Sequence, residues 1–205
     1  MSDKYMVSFD VTSLFTNIPL SETITIAIDA ILENNPDIGV NRRDLQKLFW
    51  FATSQTHFLF NGNYYDQVDG VAMGSPLAPV LANLFMGHLE KQYFSNMPAI
   101  AKPLYYRRYV DDVFCLFKNE NEANDFFQFI NTWHPNIHFT VEKQKDSTLP
   151  FLDVLVCNRE QCITSVYHKP TYTGLLTNYF SFIPHSYKTG LIRTLVDRIY
   201  KINNT

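Results

Sequence analysis

Two adjacent aspartates, Asp111 and Asp112, interrupt an apolar and aromatic stretch, with Leu104 to Tyr109 before them and Val113 to Phe117 after. Both flanks read as strands, so the pair sits in a tight connection between them. In a regular strand neighbouring side chains point to opposite faces, and two adjacent carboxylates cannot share a site. A sharp turn lifts that restriction. Asp10 lies near the end of another apolar strand, Tyr5 to Val11. If that strand lies beside the hairpin, two or three carboxylates converge, and each raises the pKa of the others unless cations neutralise them. Hard oxygen donors with few protein contacts suit Mg²⁺, which keeps waters and takes substrate phosphates as its remaining ligands. Two such ions roughly 3.5–4 Å apart serve an in-line phosphoryl displacement. The competing reading is a solvated Asp-Asp turn. It is weakened by the apolar residues on both sides, Tyr109, Val110, Val113, Phe114 and Leu116, which make the turn part of a buried hairpin.

The rest of the chain alternates strands and helices. Helices are predicted from a Ser21 cap with Ile24, Ala27, Ile28 and Ile31 inward, and from Asn41 with Asp44 in a capping box and Leu45, Leu48, Phe49 and Ala52 inward. Asn61-Gly62 between aromatic-rich runs signals a hairpin over His57–Val68. After the loop Gly70–Pro76, a helix presents Leu77, Val80, Leu81, Leu84, Phe85 and His88 on one face. Asn119 caps another, with Ala123, Phe126, Phe127, Ile130 and Trp133 inward, and strands follow near 137–141, 151–156 and 163–167. Residues 186–202 read as a basic helix. The fold class expected is α+β, an antiparallel sheet with helices packed on one face.

The chain has 205 residues, 46% of them hydrophobic and 18% charged, which excludes a disordered chain. No apolar run approaches the ~18 residues of a membrane span, and no signal peptide is visible. Cys115, Cys157 and Cys162 are odd in number and lack metal-ligand spacing, so reduced thiols inside a cell are expected. The six histidines show no ligand spacing either. Residues 159–205 carry six Lys and Arg against two Asp and Glu, while the preceding part is acidic. A basic tail of this kind suits an anionic partner, and also an ordinary solvated face.

Four ordered motifs carry a family resemblance. Phe9-Asp10-Val11-Thr12-Ser13-Leu14-Phe15, Gly70-Val71-Ala72-Met73-Gly74-Ser75-Pro76-Leu77, Tyr109-Val110-Asp111-Asp112 and Pro150-Phe151-Leu152-Asp153 resemble successive palm motifs of reverse transcriptases. Phe15-Thr16-Asn17-Ile18-Pro19-Leu20 and Val166 to Gly174, continuing through Pro184-His185 to Lys188, are similar to Penelope-like retroelements. The resemblance implies a polymerase palm whose metal ligands are Asp10 and Asp111, with Asp112 a third carboxylate and Val11 contributing its carbonyl. Two Mg²⁺ ions, or Mn²⁺, would serve attack of a primer 3′-hydroxyl on the α-phosphorus of a deoxynucleoside triphosphate over an RNA template. Phe15 would lie beneath the sugar and exclude a 2′-hydroxyl, although a core role is the plain alternative. Met73, Gly74, Ser75 and Tyr109 would line the nucleotide site.

Gly70 and Gly74 can take positive φ and let backbone approach a base pair, and Ser75 with the helix start behind it offers donors to an anion. Lys143 falls where the family often has a lysine that protonates pyrophosphate, as does Lys145; solvated strand positions fit both equally. Phe151 and Leu152 resemble a primer-gripping hairpin, yet Asp153 stands where glycine is usual. Gly70, Pro76, Lys169, Lys188 and Arg193 are candidate nucleic-acid contacts, as are Arg107, Arg108, Arg198 and Lys201, since phosphate contacts supply most nonspecific affinity. Tyr167, Tyr172 and Tyr179 suit either base stacking or the core.

The implied layout is a catalytic palm with part of the fingers over 1–185 and a basic helical segment, the start of a thumb or connection, over 186–205. The remaining fingers and thumb, and an endonuclease domain found in related elements, would belong to a larger protein. A retroelement enzyme would act inside the cell, in the nucleus. Two other readings remain open: a catalytically silent nucleic-acid-binding remnant, and an RNA-synthesising polymerase, against which Phe15 argues. An unrelated two-metal nuclease leaves the Gly70–Pro76 loop unexplained.

Overall fold

The strand β1 (Tyr5–Val11) is the axis of the fold, and the computed structural model describes residues 4–98, 101–159 and 161–203 around it. Its alternation sends Val7, Phe9 and Val11 to one face and Ser8 and Asp10 to the other. It pairs antiparallel with β5 (Asp112–Phe117) on one side and β6 (Phe139–Lys143) on the other. β4 (Tyr105–Tyr109) closes the order β4-β5-β1-β6.

One face of this sheet is covered by helices. α4 (Ala78–Asn96) brings Ala82, Phe85, Met86 and Leu89, and α5 (Glu120–Ile130) brings Ala123, Phe126 and Ile130, against Val7, Phe9, Val113, Cys115 and Phe117. Phe9 is 1% exposed and meets both Phe126 and Phe127, a burial that contributes roughly 1.5–3 kcal/mol. Trp133 is buried beyond the end of α5, whose start is capped by Asn119 accepting from Glu122 N–H at 2.9 Å. A second cluster joins α2 (Leu20–Asn34) to α4 and α3 (Arg42–Ser54).

The other face of the sheet meets a separate three-stranded sheet, β7 (Thr148–Phe151), β8 (Val154–Asn158) and β9 (Cys162–Val166). Phe151 rests edge-on against Phe114 at 5.4 Å between centroids. α6 (His185–Ile202) packs on β9. A hairpin of β2 (His57–Phe60) and β3 (Asn63–Asp66) turns at Asn61-Gly62, both at positive φ.

Several local expectations are corrected. α2 begins at Leu20 with Pro19 at its N-cap; Ser21 makes no cap, and Asp69 Oδ1 instead accepts from Leu20 N–H at 2.9 Å. On α3, Leu48 and Ala52 are exposed and Leu45 is buried, because α3 packs chiefly on α2 and the hairpin that follows it is itself exposed on both faces. On α4 the buried stripe turns away from Val80, which is 54% exposed. The strand expected over 151–156 is two strands, β7 and β8, separated by a turn at Leu152 (φ 55°) and Asp153.

Candidate active site

The Asp-Asp connection is a two-residue hairpin. Tyr109 pairs with Asp112 across β4 and β5, leaving Val110 and Asp111 as the loop. Val110 takes φ 57°, a left-handed conformation that costs a β-branched residue roughly 1–3 kcal/mol. A partly buried network beneath holds it there. Arg108 Nη1 donates to the Val110 carbonyl at 3.0 Å and to Asn83 Oδ1 at 2.8 Å, while its Nε donates to Glu90 Oε1 at 2.6 Å. Tyr106 O–H donates to the same Glu90 oxygen at 2.7 Å, and burial followed by the Glu90 charge drives that phenol well above its ordinary pKa.

The turn is also stitched to β1. Val11 N–H donates to the Asp111 carbonyl at 3.0 Å, and Asp10 stands directly opposite Asp112 in the β1–β5 register. Asp10 and Asp112 therefore share the face of the sheet away from α4 and α5. Just beyond, Ser13 (φ 48°) turns the chain into the single-turn α1 (Leu14–Asn17), which carries Phe15. Gly70 fixes α1 in place. Val71 N–H donates to the Phe15 carbonyl at 2.7 Å, and a Cβ on Gly70 (φ 77°) would meet the Thr16 and Phe15 carbonyl oxygens at 2.6 and 2.8 Å. Its close approach within the chain is to α1.

Two concavities flank the carboxylates. One, about 540 Å³, is lined by Phe15, Met73, Gly74, Ser75 and Asp111, together with Ser13, Leu14, Ala78 and Pro79. The other, about 750 Å³, is lined by Asp10, Asp112, Tyr109, Thr140, Phe151, Leu152, Asp153, Tyr167 and Lys169 among others. Adjacent aspartates thus face different cavities, as the positive φ before Asp111 permits. Gly74 (φ 91°) has open space around it and Met73 is 72% exposed, while Ser75 Oγ accepts from Leu77 N–H at the start of α4.

Burial pushes the Asp10 carboxyl above the usual carboxylate range; Asp111 adds to the rise and Lys169 opposes it. Asp112 is raised by burial, then by Asp111 and Asp10, again against Lys169. Among the described residues no group of three or more His, Cys, Asp or Glu side chains stands close enough to hold a metal ion. The donor set still fits one. Partly buried carboxylates that destabilise each other's charge are relieved by a divalent cation, and their oxygens are the hard ligands Mg²⁺ prefers.

Other predicted residues lie elsewhere. Lys143 stands opposite Val7, three positions along β6 from Thr140, and donates to Glu120 Oε1 at 2.7 Å; neither cavity includes it. Lys188 Nζ donates to the Ser181 carbonyl at 2.8 Å and lies over the Tyr179 ring. Arg193 and Pro76 are exposed and line neither cavity. Arg108 is consumed by Glu90, and Arg198 pairs with Asp153 at 3.0 Å, tying α6 to the β7–β8 turn. Sequence reasoning missed Glu90 and Asp69, whose Oδ1 receives both Leu20 and Gly70 N–H. The available signal was a lone acid after Leu89 in a largely apolar helix and an acid preceding Gly70.

The family model described as "Reverse transcriptase (RNA-dependent DNA polymerase)" matches residues 1–174. No curated protein matches the chain. Among solved structures, telomerase from Candida albicans in complex with a TWJ fragment of telomeric RNA is similar at TM-score 0.61 and 12% identity, over 94% of this chain and 34% of that one. Telomerase from Candida tropicalis with the same kind of RNA fragment gives TM-score 0.61 and 10% identity, over 94% and 33%. Apo telomerase from Candida tropicalis gives 0.60 and 11%, over 79% and 33%. The chain spans about a third of the length of these telomerase chains, and at such identities the likeness is one of fold.

Proposed function

This chain belongs to the reverse transcriptase family, and from that premise we propose that it is the palm of an RNA-directed DNA polymerase. The observation that carries the proposal is a cavity on either side of the β4–β5 turn, one lined by Asp111 and the other by Asp10 and Asp112, which are direct partners across β1 and β5. A two-substrate nucleotidyl transfer needs that arrangement: an incoming deoxynucleoside triphosphate on one side and a primer 3′ end on the other, with the reacting atoms between them.

In this reading Asp10 and Asp111 hold Mg²⁺, or Mn²⁺, with the Val11 carbonyl, and Asp112 supports the pair from across β1. The bound ions would lower the pKa of the attacking hydroxyl and neutralise charge on the leaving pyrophosphate. The chain's own residues position. Phe15, half-buried between the two core clusters and open to the 540 Å³ cavity, is a rigid floor that a ribose 2′-hydroxyl would strike. Met73 and Gly74 are exposed, and the half-buried Ser75 beside them lines the same cavity, where the nucleotide would lie. The Phe151–Asp153 turn faces Asp112 across the second cavity, where the primer end would lie over an RNA template.

We assign residues 1–185 to a palm with part of the fingers and 186–205 to the start of a thumb or connection. The Phe15–Leu20 and Val166–Gly174 stretches support a retroelement origin nearest the Penelope-like elements, and hence work in the nucleus. A silent nucleic-acid-binding chain is the second reading, favoured by the parting of Asp111 from Asp10 and Asp112 toward different cavities. Extension of a DNA primer on an RNA template separates the two. The polymerase reading expects Mg²⁺-dependent extension that Asp10→Asn abolishes; primer binding without extension in either metal supports the silent reading.

A further inference from the structure

Four of the cations expected to serve the site are engaged by the protein: Arg108 by Glu90, Arg198 by Asp153, Lys143 by Glu120 and Lys188 by the Ser181 carbonyl. Lys169 is not. It lines the 750 Å³ cavity with Asp10 and Asp112, yet among the described residues it has no carboxylate oxygen within 4.0 Å. Its backbone is fixed. Tyr172 N–H donates to the Lys169 carbonyl at 2.8 Å across a turn with Pro170 at its second position, and the Tyr172 ring stacks on His168 at 4.2 Å. A lysine held in the same cavity as two carboxylates, but not in contact with them, leaves between the two signs of charge a space that an anion bridging to a cation would fill.

We propose that Lys169 binds the phosphodiester joining the last two nucleotides of the primer, so that the primer end is gripped between its ammonium and the Asp10–Asp112 face. The assignment rests on the polymerase reading for the identity of the strand. It gives the segment after β9, which no part of the transfer chemistry uses, a role in placing the 3′ end. As a compact point charge Lys169 contributes affinity and position without sequence preference.

The test is a cycle between protein and primer, with binding read by fluorescence anisotropy in chelator so that no metal or turnover enters. A recessed primer–template carries either a natural or an uncharged methylphosphonate linkage at the terminal position. Lys169→Ala should weaken binding of the natural duplex by roughly five- to ten-fold at low salt and lower the magnitude of its salt slope by about 0.9. The methylphosphonate should cost the unaltered chain a similar amount, Lys169→Ala should lose nothing further on it, and Lys169→Arg should retain most of the affinity. Additive losses, or a methylphosphonate effect at the terminal linkage that persists in Lys169→Ala, overturn the assignment, as does failure of the unaltered chain to bind either duplex. Extension is scored separately: a chain that shows the non-additive cycle but never extends a primer contradicts the polymerase reading and leaves the Lys169 contact standing.

Discussion

Asp10 and Asp112 are direct cross-strand partners on β1 and β5, two carboxylates facing each other on an antiparallel ladder. Such a pair opposes folding when both are ionised. Burial and the Asp111 charge raise both above the ordinary carboxylate range, and the Lys169 charge opposes the rise in each.

A pH dependence follows. A carboxyl whose pKa is higher folded than unfolded favours the folded state below its unfolded pKa, and that contribution is lost as pH rises through the folded value. At neutral pH the cluster is therefore a liability without divalent cations. Asp112→Asn should raise the melting temperature in chelator by roughly 1–3 °C at pH 7, a modest gain because the site is partly solvated. The gain should vanish near pH 3. Equal or lower stability of Asp112→Asn at pH 7, by scanning calorimetry in chelator, contradicts the electrostatic account.

Gly70→Ala should be costly. The added methyl meets the Thr16 and Phe15 carbonyl oxygens inside 3.0 Å, and φ 77° is unfavourable for alanine. A loss of roughly 2–4 kcal/mol is expected from denaturant unfolding, with α1 and the cavity beside Phe15 disturbed. A change below about 0.5 kcal/mol, the size of an ordinary surface substitution, would mean the loop does not clamp α1.

Arg108→Ala should behave as a structural lesion. Its side chain is 10% exposed and its loss leaves Glu90, 19% exposed, without its cation, a cost of roughly 1–3 kcal/mol once partial solvation is allowed for. Releasing the Val110 carbonyl should also loosen the Asp111 turn. Were Arg108 a phosphate contact instead, stability would hold and only the salt dependence of nucleic-acid binding would change.

Phe15→Ala should relax sugar choice. Removing the ring opens space in the 540 Å³ cavity, so ribonucleotide incorporation relative to deoxynucleotide should rise by about ten-fold or more in single-addition primer assays. An unaltered chain that already uses both sugars equally defeats the assignment.

The strands that carry Asp10 and the Asp111–Asp112 turn were legible because apolar runs and turn residues are local signals; that Asp10 stands opposite Asp112 while Asp111 lines another cavity was not, because it depends on the pairing of β1 with β5. β1 has the bounds its apolar run predicts, and Asn61-Gly62 and Asn119 form the expected turn and cap. Misread positions depend on distant partners. Asp69 caps a helix 49 residues before it, which no local pattern reveals. Arg108 reads as a surface cation until Glu90 of α4 is brought beneath it. Lys143 has suitable chemistry, but its place along β6 puts it beside Glu120. By pattern alone the apolar run across Leu152 reads as one strand, because leucine rarely takes φ 55°, and only the resemblance of Phe151-Leu152 to a primer-gripping hairpin pointed to the turn.

Polymerase chemistry in this chain requires Asp10 and the Asp111–Asp112 turn to hold a divalent cation together. Mn²⁺ titration of the 205-residue chain, followed by electron paramagnetic resonance with a deoxynucleoside triphosphate and primer–template present, measures this directly. Saturable binding by the unaltered chain that weakens at least about ten-fold in both Asp10→Asn and Asp111→Asn is the result predicted. Mn²⁺ bound no more tightly by the ternary mixture than by the nucleotide alone, or bound equally by both variants, would contradict it.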